Sequence, residues 1–390
     1  MLKPNQNYAN LKESYLFYNI SQKVNAYLAD HPGAKLLRLG IGDVSLPLCP
    51  AVIQALHEAV DDQANKETFH GYLPECGAPF LREAIATHYK KRGIALFTDE
   101  VFVSSGASDE LGDILDLFDK SNTALIMEPA YPAYVDANIM AGRKIVHLPS
   151  GEENGFLPMP DESAKADLIY LCSPNNPTGT MIPKEELEKI AELAKKHQFW
   201  VISDEIYCEL VYDGSEHVSI GSFPGMKDYT IILNGFSKSF AMTGWRIGYI
   251  AAPNELLSQI VKVHGYNTIC APIFSQYAAA EGLRNGWKEV ERMRVSYQQR
   301  RNLMEKAFNE MGLPVPEPKG AFYMFPDISA TGLSSEEFAT RLFKEHNVAV
   351  VPGSVFGAGG EGHIRVCYAT AVDKIKIALE RIELMVKSLQ

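Results

Sequence analysis

A lysine, an aspartate and a tyrosine lie at the ends of two apolar runs of this 390-residue chain. Asp204 follows the run at residues 199–203, Tyr207 comes three residues later, and Lys238 follows the run at residues 230–233. A lysine amine that is buried near other cationic groups loses proton affinity and can form a Schiff base with a carbonyl group. A carboxylate can keep a heterocyclic nitrogen protonated, so that the ring accepts electrons. Taken singly, the lysine could be solvated in a loop and the aspartate could cap a helix, so the hypothesis depends on their combination.

Two further segments could bind anions. Residues 104–108 (SSGAS) connect a predicted strand to a predicted helix, and amides at a helix N-terminus attract anions, although one such junction is also an ordinary turn. Residues 363–369 alternate like a strand and place Arg365 among apolar neighbours. A guanidinium buried there is costly without an anionic partner, which could be a side chain of this chain or a substrate carboxylate.

Short apolar runs alternate with helical patterns through the middle of the chain and indicate the frame that would position these groups. The predicted strands are the runs at residues 101–103, 124–127, 167–172, 200–203, 230–233 and 247–251, with helices at 108–118 and 185–196 between them. Continuous apolar runs indicate strands buried on both faces, hence a mostly parallel sheet covered by helices. Ligands of such sheets gather at the carboxyl ends of the strands, where the polar residues described above fall.

The last third of the chain predicts a smaller α/β unit. A helical pattern from about residue 275 to 311, broken at Gly286, is followed by short apolar runs at 320–325, 348–351 and 363–368. At about 100 to 200 residues per domain, the length predicts two packed domains. We expect an N-terminal arm (1–44) that packs with the small domain, a large domain (45–282) and a small C-terminal domain (283–390).

Composition argues against several classes of protein. The net charge of −11 and the pI near 5.5 argue against a nucleic-acid partner, which requires clustered lysine and arginine. Six scattered cysteines without a C-x-x-C pair fit reduced thiols in the cytoplasm better than disulfides or a zinc site, so no metal site is predicted. Neither an apolar N-terminal region nor a run of about 18 apolar residues is visible, so we expect no export signal and no membrane partner.

Three motifs resemble those of the class I/II aminotransferases, which use pyridoxal 5'-phosphate (PLP), and they occur in the same order. They are residues 173–179 (SPNNPTG), 203–207 (SDEIY) and 234–249 (NGFSKSFAMTGWRIGY). The resemblance covers nearly the whole chain. It implies PLP fold type I, an α/β fold in which a large domain with a mostly parallel sheet sandwiched by helices is joined to a smaller α/β domain. It also implies amino-group transfer between amino acids and 2-oxo acids.

The resemblance further implies roles for individual residues. Lys238 would hold PLP as a Schiff base and then move a proton between the substrate Cα and the cofactor, while Asp204 would pair with the pyridine nitrogen. The other implied cofactor-binding residues are Tyr207 and Asn176 at the ring phenolate, Tyr131 on the ring face, and Tyr72, Ala107, Ser108, Ser237 and Arg246 at the phosphate. Arg365, with Asn176, would bind the substrate carboxylate. Because that family sends the tyrosine matching Tyr72 from a neighbouring subunit, a homodimer with shared active sites is implied.

The first third of the chain is more specifically similar to the LL-diaminopimelate aminotransferases. The similarity lies in residues 7–11, 15–17, 39–44 and 71–77. Tyr15 and Gly42 match substrate-contact positions of that subfamily, and Glu75 matches an acidic residue that can meet a distal ammonium. The chain departs from the pattern at Ser108, where a lysine is usual, and at residues 266–269, where no equivalent of a substrate asparagine is found.

The expected reaction is therefore amino transfer between an amino acid, possibly LL-diaminopimelate in lysine biosynthesis, and 2-oxoglutarate. Aspartate, alanine and aromatic amino acids are alternative donors. A PLP carbon–sulfur lyase is a second alternative, because β-elimination would use the same cofactor motifs. A non-catalytic effector sensor is a third, which the complete lysine motif disfavours.

Overall fold

The computed structural model describes residues 3, 5–11, 16–157, 159–161, 163 and 165–389. Within these residues the strands are β1 (Leu37–Arg38), β2 (Val101–Ser104), β3 (Thr123–Met127), β4 (Lys144–Leu148), β5 (Leu168–Cys172), β6 (Trp200–Asp204), β7 (Thr230–Gly235), β8 (Gly248–Ala251), β9 (Tyr323–Met324), β10 (Val348–Ala349), β11 (Val351–Pro352) and β12 (Ile364–Cys367). The α-helices are α1 (Leu16–Asp30), α2 (Pro50–Asp61), α3 (Pro79–Lys91), α4 (Ala107–Leu117), α5 (Pro132–Ala141), α6 (Lys184–His197), α7 (Asn254–Asn267), α8 (Ile273–Asn285), α9 (Trp287–Glu310), α10 (Ser335–His346) and α11 (Val372–Leu389).

Seven of these strands form a central sheet in the order β2-β8-β7-β6-β5-β3-β4. Strand β8 is antiparallel to both of its neighbours, and the other six strands share one direction. All residues of β2, β7 and β8 are buried, and β5 and β6 each have one partly exposed residue. Burial on both faces explains the continuous apolar runs, and the mostly parallel α/β sheet is confirmed.

Strand β4 is the one member of this sheet that the apolar runs did not predict. It lies at the edge of the sheet, where Lys144 and His147 are exposed and the residues between them are only partly buried. A half-exposed edge strand contains charged residues, and its short sequence therefore lacks the continuous apolar run of a central strand.

Helices cover both faces of the sheet because alternate strand residues point to opposite sides. Ile202 packs in the cluster that includes residues of α4 and α7, whereas its neighbour Val201 packs against α6. The buried residues of α6 recur at helical spacing, as Leu187, Ile190, Ala191 and Ala194. None of the helices in the described residues combines the length and the apolar character that crossing a bilayer requires.

The C-terminal part contains a separate antiparallel sheet in the order β11-β12-β9. The helical pattern predicted at 275–311 is divided into α8 and α9 at Gly286, as expected. Strand β1, from the first part of the chain, pairs in parallel with β10, with Leu37 opposite Val348. The division into an arm, a large domain and a small domain stays a prediction.

The register of the central strands brings their carboxyl ends to one level. Cys172 at the end of β5 pairs with Asp204 at the end of β6, and Asp204 pairs with Leu233 of β7. The loops that follow these three strands therefore start beside one another. They carry the motifs from which the sequence analysis predicted a site.

Candidate active site

A cavity of about 360 Å³ lies at the carboxyl ends of β5, β6 and β7, a size suited to a small-molecule ligand. Its walls also include the segment after β1 and the start of α4. The structure brings ten of the predicted site residues together in this lining: Gly42, Ala107, Ser108, Tyr131, Asn176, Asp204, Tyr207, Ser237, Lys238 and Arg246.

Lys238 lies in the loop three residues beyond β7, and its side chain is largely enclosed. Its Nζ donates a hydrogen bond to the Gly42 carbonyl oxygen at 2.8 Å. Burial lowers the pKa of Lys238; the nearby charges of Arg365 and Arg246 lower it further, and Asp43 opposes them. A lowered pKa increases the fraction of neutral amine, which is the nucleophilic form and the form that accepts a proton.

Asp204 is the last residue of β6 and is buried. Its Oδ2 accepts a hydrogen bond from the Tyr134 hydroxyl at 2.6 Å, and its Oδ1 accepts one from the Ile206 amide at 3.1 Å. Burial raises the pKa of Asp204, while these hydrogen bonds and the charge of Lys238 oppose the rise. A cationic group placed against this carboxylate would favour its ionised form.

Tyr207 and Tyr323 form a hydroxyl pair in the cavity wall, with 3.0 Å between their oxygens. Tyr323 belongs to β9, so the pair joins the central sheet to the C-terminal sheet. A Cβ atom on residue 42 would collide with the Tyr323 hydroxyl, and the glycine at this position therefore allows the two chain segments to approach closely. Burial raises the pKa of both phenols, so both remain protonated at neutral pH.

Arg365 is completely buried on β12, behind the cavity wall. Its Nη1 donates to Asn176 Oδ1 and its Nη2 donates to the Gly40 carbonyl, both at 2.8 Å. The guanidinium lies over the Tyr323 ring, 4.5 Å from its centroid. The Asn176 and Gly40 acceptors are neutral oxygens of residues that border the cavity, so a carboxylate entering beside Asn176 would find a fixed planar cation.

The opposite end of the cavity is formed by the N-terminus of α4. Gly106 precedes the helix with a φ of 113°, and a Cβ there would lie 2.6 Å from an Arg246 guanidinium nitrogen. The first turn of α4, Ser237 and Arg246 thus border the same cavity, and a helix N-terminus beside a guanidinium favours an anion. Burial raises the pKa of Glu110 well above its usual range, so this nearby carboxyl is favoured in its neutral form and does not repel an anion.

Comparisons with known proteins agree with this geometry. The family model for Aminotransferase class I and II matches residues 34–382. The chain belongs to this family. Aromatic-amino-acid aminotransferase 2 of Thermococcus litoralis is 43% identical, over 90% of this chain and 92% of that protein. An LL-diaminopimelate aminotransferase of Lachnospira eligens is 38% identical, over 98% of this chain and all of its own.

A solved structure shows the same fold. Aspartate aminotransferase from Thermus thermophilus with maleate superposes with a TM-score of 0.89 at 32% identity, covering 98% of this chain and 100% of that one. The chain is therefore a PLP-dependent aminotransferase of fold type I, as its motifs predicted. The donor set of the cavity fits PLP: an anion site for the phosphate, a buried carboxylate for a ring cation and an amine of lowered pKa for the aldehyde.

Three of the predicted site residues that the structure describes are not in the cavity lining of the single chain: Tyr72, Glu75 and Arg365. Tyr72 and Glu75 lie on the surface, and the Tyr72 side chain is 84% exposed. Tyr15 lies outside the described residues. Arg365 also lies behind the lining but contacts two residues that form it.

Two residues of this site were missed by the sequence analysis. Tyr134 donates a hydrogen bond to Asp204. The sequence did contain a sign of this role, because Tyr134 follows Tyr131 by three residues at the start of α5 and therefore shares a helix face with it. Tyr323 has no such local signal. It reaches the site only because β9 packs against the end of the central sheet.

Proposed function

We propose that Lys238 attaches PLP covalently and transfers the proton at the substrate Cα, and that Asp204 pairs with the pyridine nitrogen. The observation that carries this proposal is one cavity that joins an amine of lowered pKa, a buried carboxylate and a helix N-terminus. When bound, PLP supplies an electron sink for the substrate Cα. The hydrogen bond from Lys238 to the Gly42 carbonyl supports the role of the amine, because it holds Nζ at the cavity wall.

The phosphate of PLP is assigned to the amides of Ala107 and Ser108 with Ser237 and Arg246, and Tyr131 to the ring face. Tyr207 and Asn176 are assigned to the ring phenolate. All seven border the cavity, at its anion end or along its walls. A guanidinium fork and a helix N-terminus are both suited to phosphate oxygens.

Arg365 is proposed to bind the substrate α-carboxylate, together with Asn176. Its two hydrogen bonds, to Asn176 and to Gly40, fix the plane of the guanidinium before any substrate arrives. A substrate held at this point and at the cofactor has its Cα–H bond oriented, and orientation of this kind lowers the barrier to proton transfer by Lys238.

For the substrates, we propose 2-oxoglutarate with glutamate as one half-reaction and LL-diaminopimelate as the other, a step of lysine biosynthesis in the cytoplasm. Support comes from the subfamily positions Tyr15, Gly42 and Glu75, and from the similarity to an LL-diaminopimelate aminotransferase. Relatives named for aromatic amino acids and for aspartate make these donors the alternatives to test. Glu75 of the partner subunit would favour a distal ammonium on the substrate.

A homodimer with shared active sites is part of this proposal. Tyr72 is assigned to the partner's phosphate site, which is consistent with an aromatic side chain that is 84% exposed in the single chain. Phe69 and Tyr266 are also large and exposed, at 60% and 95%. Mixed dimers of a Tyr72→Ala chain and a Lys238→Ala chain should regain activity, because one of their two sites is intact. A fully active monomer at assay concentration contradicts the shared site.

The experiment that decides the substrate is a panel of amino donors against 2-oxoglutarate, for wild type and Glu75→Gln. A charge-assisted hydrogen bond is worth about 1.5–3 kcal/mol, so we expect a roughly ten- to hundredfold loss of kcat/KM for LL-diaminopimelate and little change for glutamate. Glu83→Gln, a second acidic residue of the same region, on α3, serves as control. If phenylalanine, alanine or aspartate is the far better donor and Glu75→Gln changes nothing, the diaminopimelate assignment is wrong.

A further inference from the structure

A second cluster of titratable side chains lies between α4 and α7, outside the lining of the cavity. Asp109 and Asp113 are four residues apart on α4 and share a face, and His264 of α7 lies against them. One oxygen of each carboxylate and one nitrogen of the imidazole all lie within 4.8 Å of one another. The cluster contains no cysteine, which is why the cysteine spacing did not predict it.

These groups are buried without the partners that buried polar atoms normally have. His264 is completely buried, and among the described residues neither of its ring nitrogens has a hydrogen bond of standard length and angle. The Oδ2 atoms of Asp109 and Asp113 are also buried without one. Within the described part of the chain, Asp113 Oδ1 has only a long contact of 3.5 Å, from Asn267 Nδ2. Unsatisfied atoms that face one another point to a shared ligand.

The distances fit a shared ion better than direct hydrogen bonds. His264 Nε2 and Asp109 Oδ2 are 3.6 Å apart, beyond the usual hydrogen-bond length. Two ligands that each lie about 2.1 Å from a tetrahedral ion are about 3.4 Å from each other. The His264 and Phe102 rings pack edge to face, with 5.0 Å between the ring centroids, and this contact holds the imidazole in place.

The electrostatics of the cluster also favour a cation. Two carboxylates at this helical spacing repel each other, and a cation between them removes that repulsion. The His264 imidazole lies beside both carboxylates, and a neutral imidazole supplies a ring nitrogen as a metal ligand.

We propose that Asp109, Asp113 and His264 bind a divalent transition-metal ion of the Zn²⁺ type. One imidazole nitrogen and two carboxylate oxygens are ligands that Zn²⁺ accepts, and the two negative charges balance the charge of the ion. The Asp109 side chain is 29% exposed, so one edge of the cluster lies near solvent.

The position of the ion defines its role. It joins the first two turns of α4 to α7, and the first turn of α4 begins at Ala107, at the anion end of the cavity. An ion there stabilises the helix terminus to which the cofactor phosphate is assigned. None of its three ligands lines the cavity, so the ion is structural.

The test uses the PLP-loaded enzyme with its thiols blocked, treated with a chelator and then dialysed against Zn²⁺, Mn²⁺ or Mg²⁺. Metal analysis should find one Zn²⁺ per chain, and Zn²⁺ should raise the melting temperature more than Mg²⁺ does, because an ion that binds only the folded state stabilises it. Asp113→Asn and His264→Gln should lose the ion and the Zn²⁺-dependent shift. Asp116→Asn, at an exposed position of the same helix, should keep both.

Wild-type protein loaded with Co²⁺ gives a readout that does not depend on the folding of any variant. Visible absorption typical of nitrogen and oxygen ligands supports the site. The proposal is overturned if wild type retains no Zn²⁺ under these conditions, if the Co²⁺ spectrum shows sulfur ligation, or if folded Asp113→Asn and His264→Gln proteins bind as much Zn²⁺ as Asp116→Asn.

Discussion

The residues proposed to surround the cofactor ring and the residues proposed to bind the substrate carboxylate are positioned in different ways. Asp204 and Lys238 stand at and just beyond the ends of β6 and β7, two neighbouring strands of one buried sheet. Arg365 and Tyr323 come from the C-terminal sheet, and Gly40 and Gly42 come from the segment after β1. The first group is held by a single sheet, whereas the second group is brought together only where three distant parts of the chain meet.

This difference predicts different consequences of mutation. A change in the first group, the ring side (Asp204 and Lys238), removes a reacting group and leaves the supporting sheet intact, so it should act on the chemical step. A change in the second group, the substrate side (Arg365, Tyr323, Gly40 and Gly42), alters an interface between chain segments. It should therefore act on substrate binding and on stability together.

The largest effect is expected for Lys238→Ala. Removal of the amine abolishes both covalent attachment and proton transfer, and general acid–base catalysis alone contributes about 10²- to 10⁴-fold. We expect turnover to fall at least a thousandfold by this reasoning, with an unchanged melting temperature for the apo protein. Steady-state kinetics and thermal denaturation measure the two quantities.

A matched control for this change is Lys262→Ala at an exposed position of α7, which should keep full activity. Borohydride reduction of the wild-type holoenzyme should fix the cofactor on Lys238, as read by peptide mass spectrometry. An adduct on another lysine, or an active Lys238→Ala enzyme, contradicts the ring-side assignment.

A smaller effect, of a different kind, is expected for Arg365→Lys. A single ammonium cannot maintain both hydrogen bonds, to Asn176 Oδ1 and to the Gly40 carbonyl, and also present a planar fork to a carboxylate. Loss of one charge-assisted hydrogen bond costs about 1.5–3 kcal/mol, or roughly ten- to a hundredfold in kcat/KM. The loss should appear mainly as a higher KM for both the amino acid and the 2-oxo acid.

The affinity for PLP separates this result from general damage to the fold. It should stay close to the wild-type value in Arg365→Lys, since the cofactor contacts belong to the other group of residues. Arg341→Lys on α10, where the arginine pairs with Glu345, is the control and should change neither quantity. A large loss of PLP affinity with unchanged KM contradicts the division into two groups.

The same contrast explains what the sequence could reveal. Asp204 and Lys238 were predicted because each follows a continuous apolar run, and parallel strands bring their carboxyl ends to one edge. Strand β4 was missed because an edge strand does not need such a run. The short strands β9 to β12 were predicted only as longer runs, since flanking apolar residues are buried without being paired in a sheet.

Apart from Arg365, whose apolar neighbours indicated a possible anion-binding residue, the substrate side could be predicted only through family resemblance. Nothing local marks Tyr323 as a neighbour of Tyr207, because their contact spans 116 positions and depends on how the two sheets meet. The same holds for the approach of Gly42 to Tyr323. Tyr72 and Glu75 remain untested, since their assigned contacts lie in a second subunit.

The smallest expected effect is that of Tyr323→Phe, which removes only the hydroxyl between the two groups of residues. The aromatic ring stays under the Arg365 guanidinium, so the substrate side keeps its cation–π contact, and only the hydrogen bond to Tyr207 is lost. A buried neutral hydrogen bond contributes about 0.5–1.5 kcal/mol, so stability should fall by about 1 kcal/mol.

The double variant Tyr207→Phe/Tyr323→Phe should be less destabilised than the sum of the single variants. Each single variant leaves one buried hydroxyl without its partner, whereas the double variant leaves none. Denaturant unfolding of the four proteins measures this coupling, with Tyr229→Phe outside the cavity as control. Purely additive losses contradict a direct link through the hydroxyl pair, and the two groups of residues would then be joined only by packing.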